Sequence, residues 1–297
     1  MKYLVFSLFF FHELLAYNLK PIKVAHNTYY VEGKKEYYSI ENKGDISNTA
    51  FIITKESVIL IDTGSTVDYA LSLKKEIEKI TNKPIIHVIN THQHPDHFLG
   101  NNAFEKANIY ATEFVLNEIK NNGELYLSNM NRLIKESSYS TKVKVPNKIL
   151  KNKKLILDNY ELEILLFKGH TESDLVILDK NTKTLFTSDL IFNQRALATP
   201  HADIEKWIST LKKLKNLDFK TLVPGHGEVS YDKSVIDENI EYLEFLHSSL
   251  IQGIKEGLEP FEILSNEVPI KIKNYSMFKE EYERSIINLY KDYEQRY

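Results

Sequence analysis

The stretch Thr91-His92-Gln93-His94-Pro95-Asp96-His97 decides how this chain is interpreted. It places three imidazoles and one carboxylate directly after an apolar run at 85–90. That run is short, rich in β-branched residues and preceded by Pro84, which predicts a buried β-strand. Side chains at the end of a strand and in the following loop can converge on one point, and imidazole nitrogen and carboxylate oxygen are ligands that zinc-like ions prefer. The stretch therefore predicts a metal site and a metalloenzyme.

Three further residues of the same chemical kind follow predicted strands elsewhere in the chain. His170 comes after a strand expected to end at Phe167, Asp189 after one at 184–186, and His226 after one at 221–223. Each has glycine or serine beside it, which lets the backbone turn sharply. Metal-ligand side chains at four strand ends are hard to explain as packing, so we expect them to meet at one site.

The apolar pattern predicts strands and helices in two successive sets. Strands are expected at 28–31, 50–53, 58–61, 85–90, 108–111, 155–157, 162–167, 175–178, 184–186 and 221–223. Helices are expected near 67–80, 113–136, 204–214, 233–255 and 276–295. This order indicates an α/β (α+β) protein in which two sheets pack face to face with helices outside, a four-layer αββα sandwich. We expect a single domain over 17–297, with a C-terminal helical extension over about 233–297.

Composition excludes several kinds of site and partner. The chain has 297 residues and a net charge of −3, so no basic surface for nucleic acid is expected. Because it has no cysteine, thiol nucleophiles, disulfides and thiolate-bound zinc are excluded. The expected partner is a small-molecule substrate, and composition leaves the oligomeric state open.

The first sixteen residues have the pattern of a secretory signal peptide. Lys2 precedes an apolar stretch at 3–11, and the small residue Ala16 stands where cleavage would follow. The apolar stretch is too short to span a bilayer as a helix, so no membrane span is expected in the mature protein. This pattern predicts export to the periplasm or secretion, and the alternative is an ordinary first strand.

The combined motifs resemble the metallo-β-lactamase-fold zinc hydrolases. The resemblance covers about 25–230 and rests on His-x-His-x-Asp-His at 92–97, Gly-His-Thr at 169–171, Ser-Asp at 188–189, Pro-Gly-His-Gly at 224–227 and Asp-Thr-Gly at 62–64. It implies two zinc ions per chain. The implied ligands are His92, His94 and His170 for one ion, Asp96, His97 and His226 for the other, and Asp189 as the bridge. Asp62 would orient a ligand histidine.

The resemblance also implies a reaction. Two zinc ions about 3.5–4 Å apart share a hydroxide whose parent water has a pKa lowered to about 7. That hydroxide would attack the carbonyl carbon of a small ester or thioester, with Asp96 as the catalytic residue beside it. Further similarity at 88–101, 169–175 and 287–294 is to exported zinc metallohydrolases associated with sulfur oxidation and quinoprotein systems.

Two alternatives to an acyl hydrolase stay open. One is β-lactam hydrolysis, although the dedicated β-lactamases typically carry cysteine or serine where this chain has Asp189. The other is a non-catalytic, metal-stabilised accessory protein.

The remaining histidines carry weaker predictions. His201 either lines the mouth of the substrate site or merely precedes a helix that Asp203 caps. His12 belongs to the predicted signal peptide. His26, His87 and His247 are interpreted as packing or surface residues. An apolar stripe on the last helix has the spacing of a core face; it consists of Tyr282, Ile286, Leu289, Tyr290 and Tyr293.

Overall fold

A computed structural model describes residues 17–151 and 153–297 and places them in two β-sheets flanked by helices. The first sheet has seven strands, which lie side by side in chain order. They are β1 (Ile22–Ala25), β2 (Thr28–Val31), β3 (Thr49–Ile53), β4 (Val58–Ile61), β5 (Ile85–Ile89), β6 (Asn108–Ala111) and β7 (Lys148–Ile149). The predicted signal peptide at 1–16 lies outside the described residues and stays a prediction.

The second sheet has five strands in the order β12-β11-β10-β9-β8. They are β8 (Lys154–Leu157), β9 (Tyr160–Phe167), β10 (Asp174–Asp179), β11 (Thr184–Phe192) and β12 (Thr221–His226). The pairs β4–β5 and β11–β12 are parallel, so each pair delivers the residues after its strands to one edge of its sheet.

The described residues also contain eight α-helices. They are α1 (Val67–Ile80), α2 (Pro95–Phe98), α3 (Glu113–Ile134), α4 (Ile204–Leu214), α5 (Ser234–Lys255), α6 (Pro260–Ile263), α7 (Ile270–Lys273) and α8 (Phe278–Arg296). Side-chain oxygens of Thr66, Thr112 and Asp203 cap α1, α3 and α4. None of the helices in the described ranges has the length and apolar content needed to span a bilayer.

Successive side chains along the strands point to opposite faces of each sheet, and this explains the four layers. In β4, Ile59 and Ile61 pack between the two sheets, whereas Val58 and Leu60 face the opposite side, where α1 packs. The side chains of a strand point alternately to its two faces, so a continuous apolar strand needs cover on both sides.

The second sheet follows the same rule. In β10, Leu175 and Ile177 point into the core between the sheets, and Val176 and Leu178 point toward α4 and α5. The buried faces of α5 and α8 belong to this outer core as well. The predicted αββα sandwich is therefore confirmed.

Two strands run further than their apolar runs suggested. The sequence predicts that Asp189 and His226 follow strands ending at 186 and 223, but β11 continues to Phe192 and β12 to His226. Their parallel pairing persists through a shift of register near Ser188, whose φ is 46°. Both ligand-type residues thus lie within paired strands, which hold them more rigidly than loops would. Strands β1 and β7 were not predicted, because both are short and largely exposed.

Candidate metal centre

Seven ligand-type side chains meet at one edge of the sandwich. They form two adjacent buried groups, and the ligand atoms within each group lie within 4.8 Å of one another. The groups are His92, His94, His170 and Asp189, and Asp96, His97 and His226. The residue sets match those that the family resemblance implied, with Asp189 falling in the first group.

Residues 91–97 contribute ligands to both groups, and the one-turn helix α2 begins between the two sets. It begins at Pro95, where the fixed φ of proline suits the first helical position. The turn directs Asp96 and His97 into the second group while His94, just before it, remains in the first. The backbone of α2 is held by hydrogen bonds from Thr63 N to the His97 carbonyl oxygen and from Ser47 Oγ to the Asp96 carbonyl oxygen.

Asp189 lies between the two groups. Its Oδ1 is 3.1 Å from His97 Nε2, and its Oδ2 is 3.2 Å from His226 Nε2. The same Oδ2 lies 3.4 Å from His170 Nε2. One carboxylate therefore faces imidazoles of both groups, which is the arrangement needed to bridge two cations.

The polar atoms of this centre fit a metal ion. Among the described residues, buried His92 Nε2 has no hydrogen-bond partner, and the 3.1 Å contact between His97 Nε2 and Asp189 Oδ1 lacks the geometry of a hydrogen bond, so these two atoms are unpartnered as well. A buried polar atom without a partner costs about 1–3 kcal/mol, so several that converge on one point indicate a ligand. Neutral nitrogens and carboxylate oxygens without thiolates are a donor set suited to zinc.

Burial sets the charge state of the first group. It lowers the pKa of His92, His94 and His170 well below the ordinary value, so these imidazoles are neutral, the form that binds metal. Burial acts the same way on His97, but the carboxylates around it, led by Asp189, raise its pKa well above the ordinary value. His97 is therefore the ligand histidine whose charged form the surrounding carboxylates stabilise.

Outer contacts fix which nitrogen each histidine presents. The backbone carbonyls of Ala198 and Ile46 accept hydrogen bonds from Nδ1 of His170 (3.1 Å) and of His226 (2.7 Å). This leaves the Nε2 atoms of both rings directed at Asp189. Such partners orient metal ligands and increase their basicity.

Asp62 has the corresponding place beside His97. Its Oδ2 lies 2.7 Å from His97 Nδ1, and its carboxylate also accepts hydrogen bonds from the backbone nitrogen and hydroxyl of Thr91. Burial raises the pKa of Asp62, which His97 and Thr91 oppose. The family resemblance implied this orienting role for Asp62, and the parallel pairing of β4 with β5 brings Asp62 next to residues 91–97.

We expect Asp62→Asn to weaken metal binding about 10–100-fold, because an amide cannot stabilise the His97 Nδ1 proton as a carboxylate does. The measurement is competition for zinc against a chromogenic chelator. Asp158→Asn is a control, since Asp158 pairs with His87, outside both ligand groups. Equal zinc affinity in Asp62→Asn and the unmodified protein would contradict the orienting role.

The structure places His201 beside the first group. Its Nδ1 lies 2.8 Å from His94 Nε2, and its side chain lines the cavity above the centre. Asp203 also caps α4, so both features considered for this segment are present. His87 and His247 lie in neither group. His87 contacts Asp158, and His247 contacts the Tyr293 hydroxyl.

A cavity of about 220 Å³ opens onto the centre. One wall is apolar and aromatic, and includes Tyr126, Met130 and Leu133. Three charged residues that no motif indicated also line it: Arg195, Glu281 and Arg284. Glu281 and Arg284 lie on α8 among the residues of the core stripe, so their only sequence signal is charge beside that apolar face.

Comparison with known families gives a match over residues 42–226 to the metallo-beta-lactamase superfamily. The linear primary-alkylsulfatase of Pseudomonas sp. (strain ATCC 19151) is 22% identical in a match 284 residues long, and this match covers 80% of this chain and 54% of the alkylsulfatase. This chain thus spans about half the length of that relative. The metallo-beta-lactamase IND-1 of Chryseobacterium indologenes is 26% identical over 211 residues, 68% of this chain and 77% of IND-1.

Solved structures show the same fold. A metallo-beta-lactamase from Pontibacter korlensis superposes with a TM-score of 0.62 at 20% identity, covering 76% of this chain and 99% of the other. The FIM-1 metallo-beta-lactamase from Pseudomonas aeruginosa, in its mono-zinc form, gives a TM-score of 0.62 at 18% identity over 77% of this chain and 96% of its own. At these identities the likeness concerns the fold alone.

Proposed function

Because this chain belongs to the metallo-β-lactamase superfamily and is a metallo-hydrolase, we propose that it is a binuclear zinc enzyme that hydrolyses a small ester or thioester. The observation that carries the proposal is the position of Asp189 between two groups of buried ligands. The cavity above them is large enough for a small acyl compound.

The seven ligand residues would hold the two zinc ions in two sets. His92, His94 and His170 would hold one zinc ion; Asp96, His97 and His226 would hold the other, with Asp189 between them. When bound, the two ions supply a nucleophile from water at neutral pH and polarise the oxygen of the scissile carbonyl. Asp96 lines the cavity with its Oδ2 3.5 Å from His97 Nε2, where it would accept a hydrogen bond from the attacking water and orient it.

A metal and substrate assay tests this proposal. Protein freed of metal and reloaded with zinc is expected to hold two ions per chain and to hydrolyse members of a thioester, aryl-ester and lactone panel. A chelator should abolish this turnover, and zinc should restore it. Less than one zinc per chain, with no turnover restored by zinc, would contradict the proposal.

A β-lactamase is the second candidate, and it is supported by the similarity to IND-1. A cephalosporin in the same panel distinguishes the two, because turnover of it above that of every thioester would favour the β-lactamase. An alkyl sulfate belongs in the panel because of the alkylsulfatase relative.

The Asp96→Asn variant separates an enzyme from a metal-binding accessory protein. An enzyme loses turnover in this variant, whereas an accessory protein has no turnover to lose and keeps its biological effect. Assignment to the exported sulfur-oxidation and quinoprotein-associated subfamily stays a prediction.

A further inference from the structure

The second ligand group takes its residues from both sheets. Asp96 and His97 lie in α2, which follows β5 of the first sheet, whereas His226 is the last residue of β12 in the second sheet. Asp96 Oδ2 and His226 Nε2 face each other at 3.6 Å. The ligands of one ion must be held within about 0.5 Å of their working positions. The second group therefore depends on a contact that fixes the two sheets to each other at this edge.

Residues 46–48, which lead into β3, make this contact. The carbonyl oxygen of Ile46 accepts a hydrogen bond of 2.7 Å from His226 Nδ1. The hydroxyl of Ser47 donates a hydrogen bond of 2.6 Å to the carbonyl oxygen of Asp96. Ile46, Ser47 and Asn48 are all buried. This 46–48 segment thus holds one ligand residue from each side of the sandwich.

Asn48 binds the turn that contains His226. Its backbone nitrogen and its side-chain Nδ2 donate hydrogen bonds to three carbonyl oxygens of this turn, which belong to Gly225 at 2.7 Å, Pro224 at 2.9 Å and Gly227 at 2.7 Å. Its Oδ1 accepts a hydrogen bond of 3.0 Å from Gly33 N. An asparagine side chain has two N–H donors and an acceptor oxygen, and all of them are in use here. Asn48 thus fixes the backbone on both sides of His226.

The pairing of β11 with β12 is irregular at the same place. Ser188 pairs with Pro224 and Phe192 with His226, so four residue steps along β11 correspond to two along β12. A ladder with such a shift leaves some backbone groups unpaired. Pro224 and Gly227 are buried, and a buried carbonyl oxygen that loses its donor is costly. Without Asn48 the turn would have to move to find other donors, and His226 would move with it.

Other contacts hold the first ligand group. His170 Nδ1 is held by a backbone carbonyl at 3.1 Å, and His94 Nε2 lies 2.8 Å from His201 Nδ1. His92 Nδ1 lies 3.1 Å from the Thr91 hydroxyl. In the described ranges, no hydrogen bond joins the 46–48 segment to these three ligand histidines. A change at Asn48 should therefore reach the second group and spare the first.

We propose that Asn48 is a positioning residue that fixes His226 opposite Asp96 and thereby sets the affinity of the second group for its ion. Loss of its hydrogen bonds converts a chain that holds two ions into one that holds a single ion, in the first group, when zinc is limiting. This inference rests on the proposed function and adds the residue that determines whether its second ion is bound.

Zinc titration of metal-free Asn48→Leu tests the inference. Leucine has nearly the shape of asparagine, but it donates no side-chain hydrogen bond and adds no charge. We expect the second ion to bind about 10–100-fold more weakly than in the unmodified protein, the range for losing a contact that orients a metal ligand, with the affinity for the first ion unchanged. Competition against a chromogenic chelator measures both steps. Equal second-ion affinity in the two proteins, or an equal loss at both steps, would overturn the inference.

Cobalt(II) absorption identifies which ion is lost, because the spectrum depends on the type and number of ligands. His226→Ala keeps the first group intact and His170→Ala keeps the second, so these variants provide the two reference spectra. Asn48→Leu with one equivalent of cobalt should give the spectrum of His226→Ala. Any contribution from the spectrum of His170→Ala would contradict the inference.

Asn42→Leu is the matched control. Asn42 is buried in the same connection between β2 and β3, and among the described residues its side chain forms hydrogen bonds only within 36–44. Both zinc affinities should stay unchanged in this variant. A weakened second ion there would mean that the order of the whole connection, rather than Asn48, controls the second group, and the inference would fail.

Ser47→Ala keeps the inference testable if Asn48→Leu does not fold. This variant loses only the hydrogen bond to the Asp96 carbonyl oxygen. It should weaken the second ion selectively, by less than Asn48→Leu is expected to. An unfolded Asn48→Leu together with unchanged zinc binding in Ser47→Ala would overturn the inference.

The same titration separates this inference from the proposed function. If the unmodified protein holds two ions but hydrolyses no ester or thioester, the proposed reaction fails, and a selective loss of the second ion in Asn48→Leu still supports the inference. If Asn48→Leu keeps two tightly bound ions and full ester hydrolysis, the proposed function stands and the inference fails. Fewer than two ions in the unmodified protein would contradict both.

Discussion

Replacing Asp189 with asparagine is expected to lower turnover by at least ~10³-fold, because in the proposed binuclear centre several kcal/mol of charge stabilisation would depend on this carboxylate. Asp189 is buried, and its oxygens lie within 3.4 Å of imidazoles in both ligand groups. The histidines around it, led by His226, hold its pKa well below the ordinary value against the effect of burial, so it is anionic in the fold. An amide of the same shape keeps the packing and removes the charge.

Metal analysis of Asp189→Asn, together with circular dichroism, distinguishes loss of a metal-bridging carboxylate from unfolding. We expect zinc to fall from two ions per chain to one or fewer, with the far-ultraviolet circular dichroism unchanged. Asp179→Asn is a matched control: Asp179 is also buried, but it bonds to Tyr160 and Thr182, far along β10 from the centre. Two zinc ions and turnover within about tenfold of the unmodified enzyme would show that Asp189 is not the bridge.

The layers of the fold and the ligand residues could be predicted from the sequence because their signals lie within short stretches of it. An apolar strand followed by a polar ligand is a pattern within ten or so residues, as where His92 follows β5 and His170 follows β9. The spacing within residues 91–97 predicted only a metal site, and the division of its ligands between two ions came from the family resemblance. Helix α1 has the predicted bounds because Thr66 and the apolar spacing are both local signals.

The features that sequence reasoning missed depend on distant contacts. Arg195 and Glu281 are separated by 86 residues and meet only because α8 packs over the loop after β11. The length of β11 was missed because its pairing with β12 continues past polar residues such as Ser188. Hydrogen bonds of a parallel pair, rather than apolar character, hold this part of the strand.

The second large effect is expected for Gly225→Ala, because β12 approaches β11 closely at Gly225. A Cβ added at this position would overlap Asp189 Oδ1 and lie 2.6 Å from the carbonyl carbon of Ser188. Neither neighbour can yield easily, since one is strand backbone and the other is held among histidines. We therefore expect Gly225→Ala to lower the free energy of unfolding by about 2–3 kcal/mol through overpacking. For a chain of this length, the corresponding fall in Tm is ~3–5 °C.

Displacement of Asp189 should make the catalytic loss larger than the loss of stability suggests. A shift of about 1 Å in a reacting group can cost ~10²-fold in rate. Thermal unfolding with excess zinc and with a chelator measures the metal contribution, and the difference between the two Tm values should shrink in Gly225→Ala. Gly257→Ala is the control, because Gly257 has a φ of 72° but no atom within 4 Å of an added Cβ, so only backbone strain of about 1–2 kcal/mol is expected there. An unchanged zinc-dependent rise in Tm in Gly225→Ala, together with full turnover, would mean that β11 and β12 can separate without disturbing the bridging carboxylate.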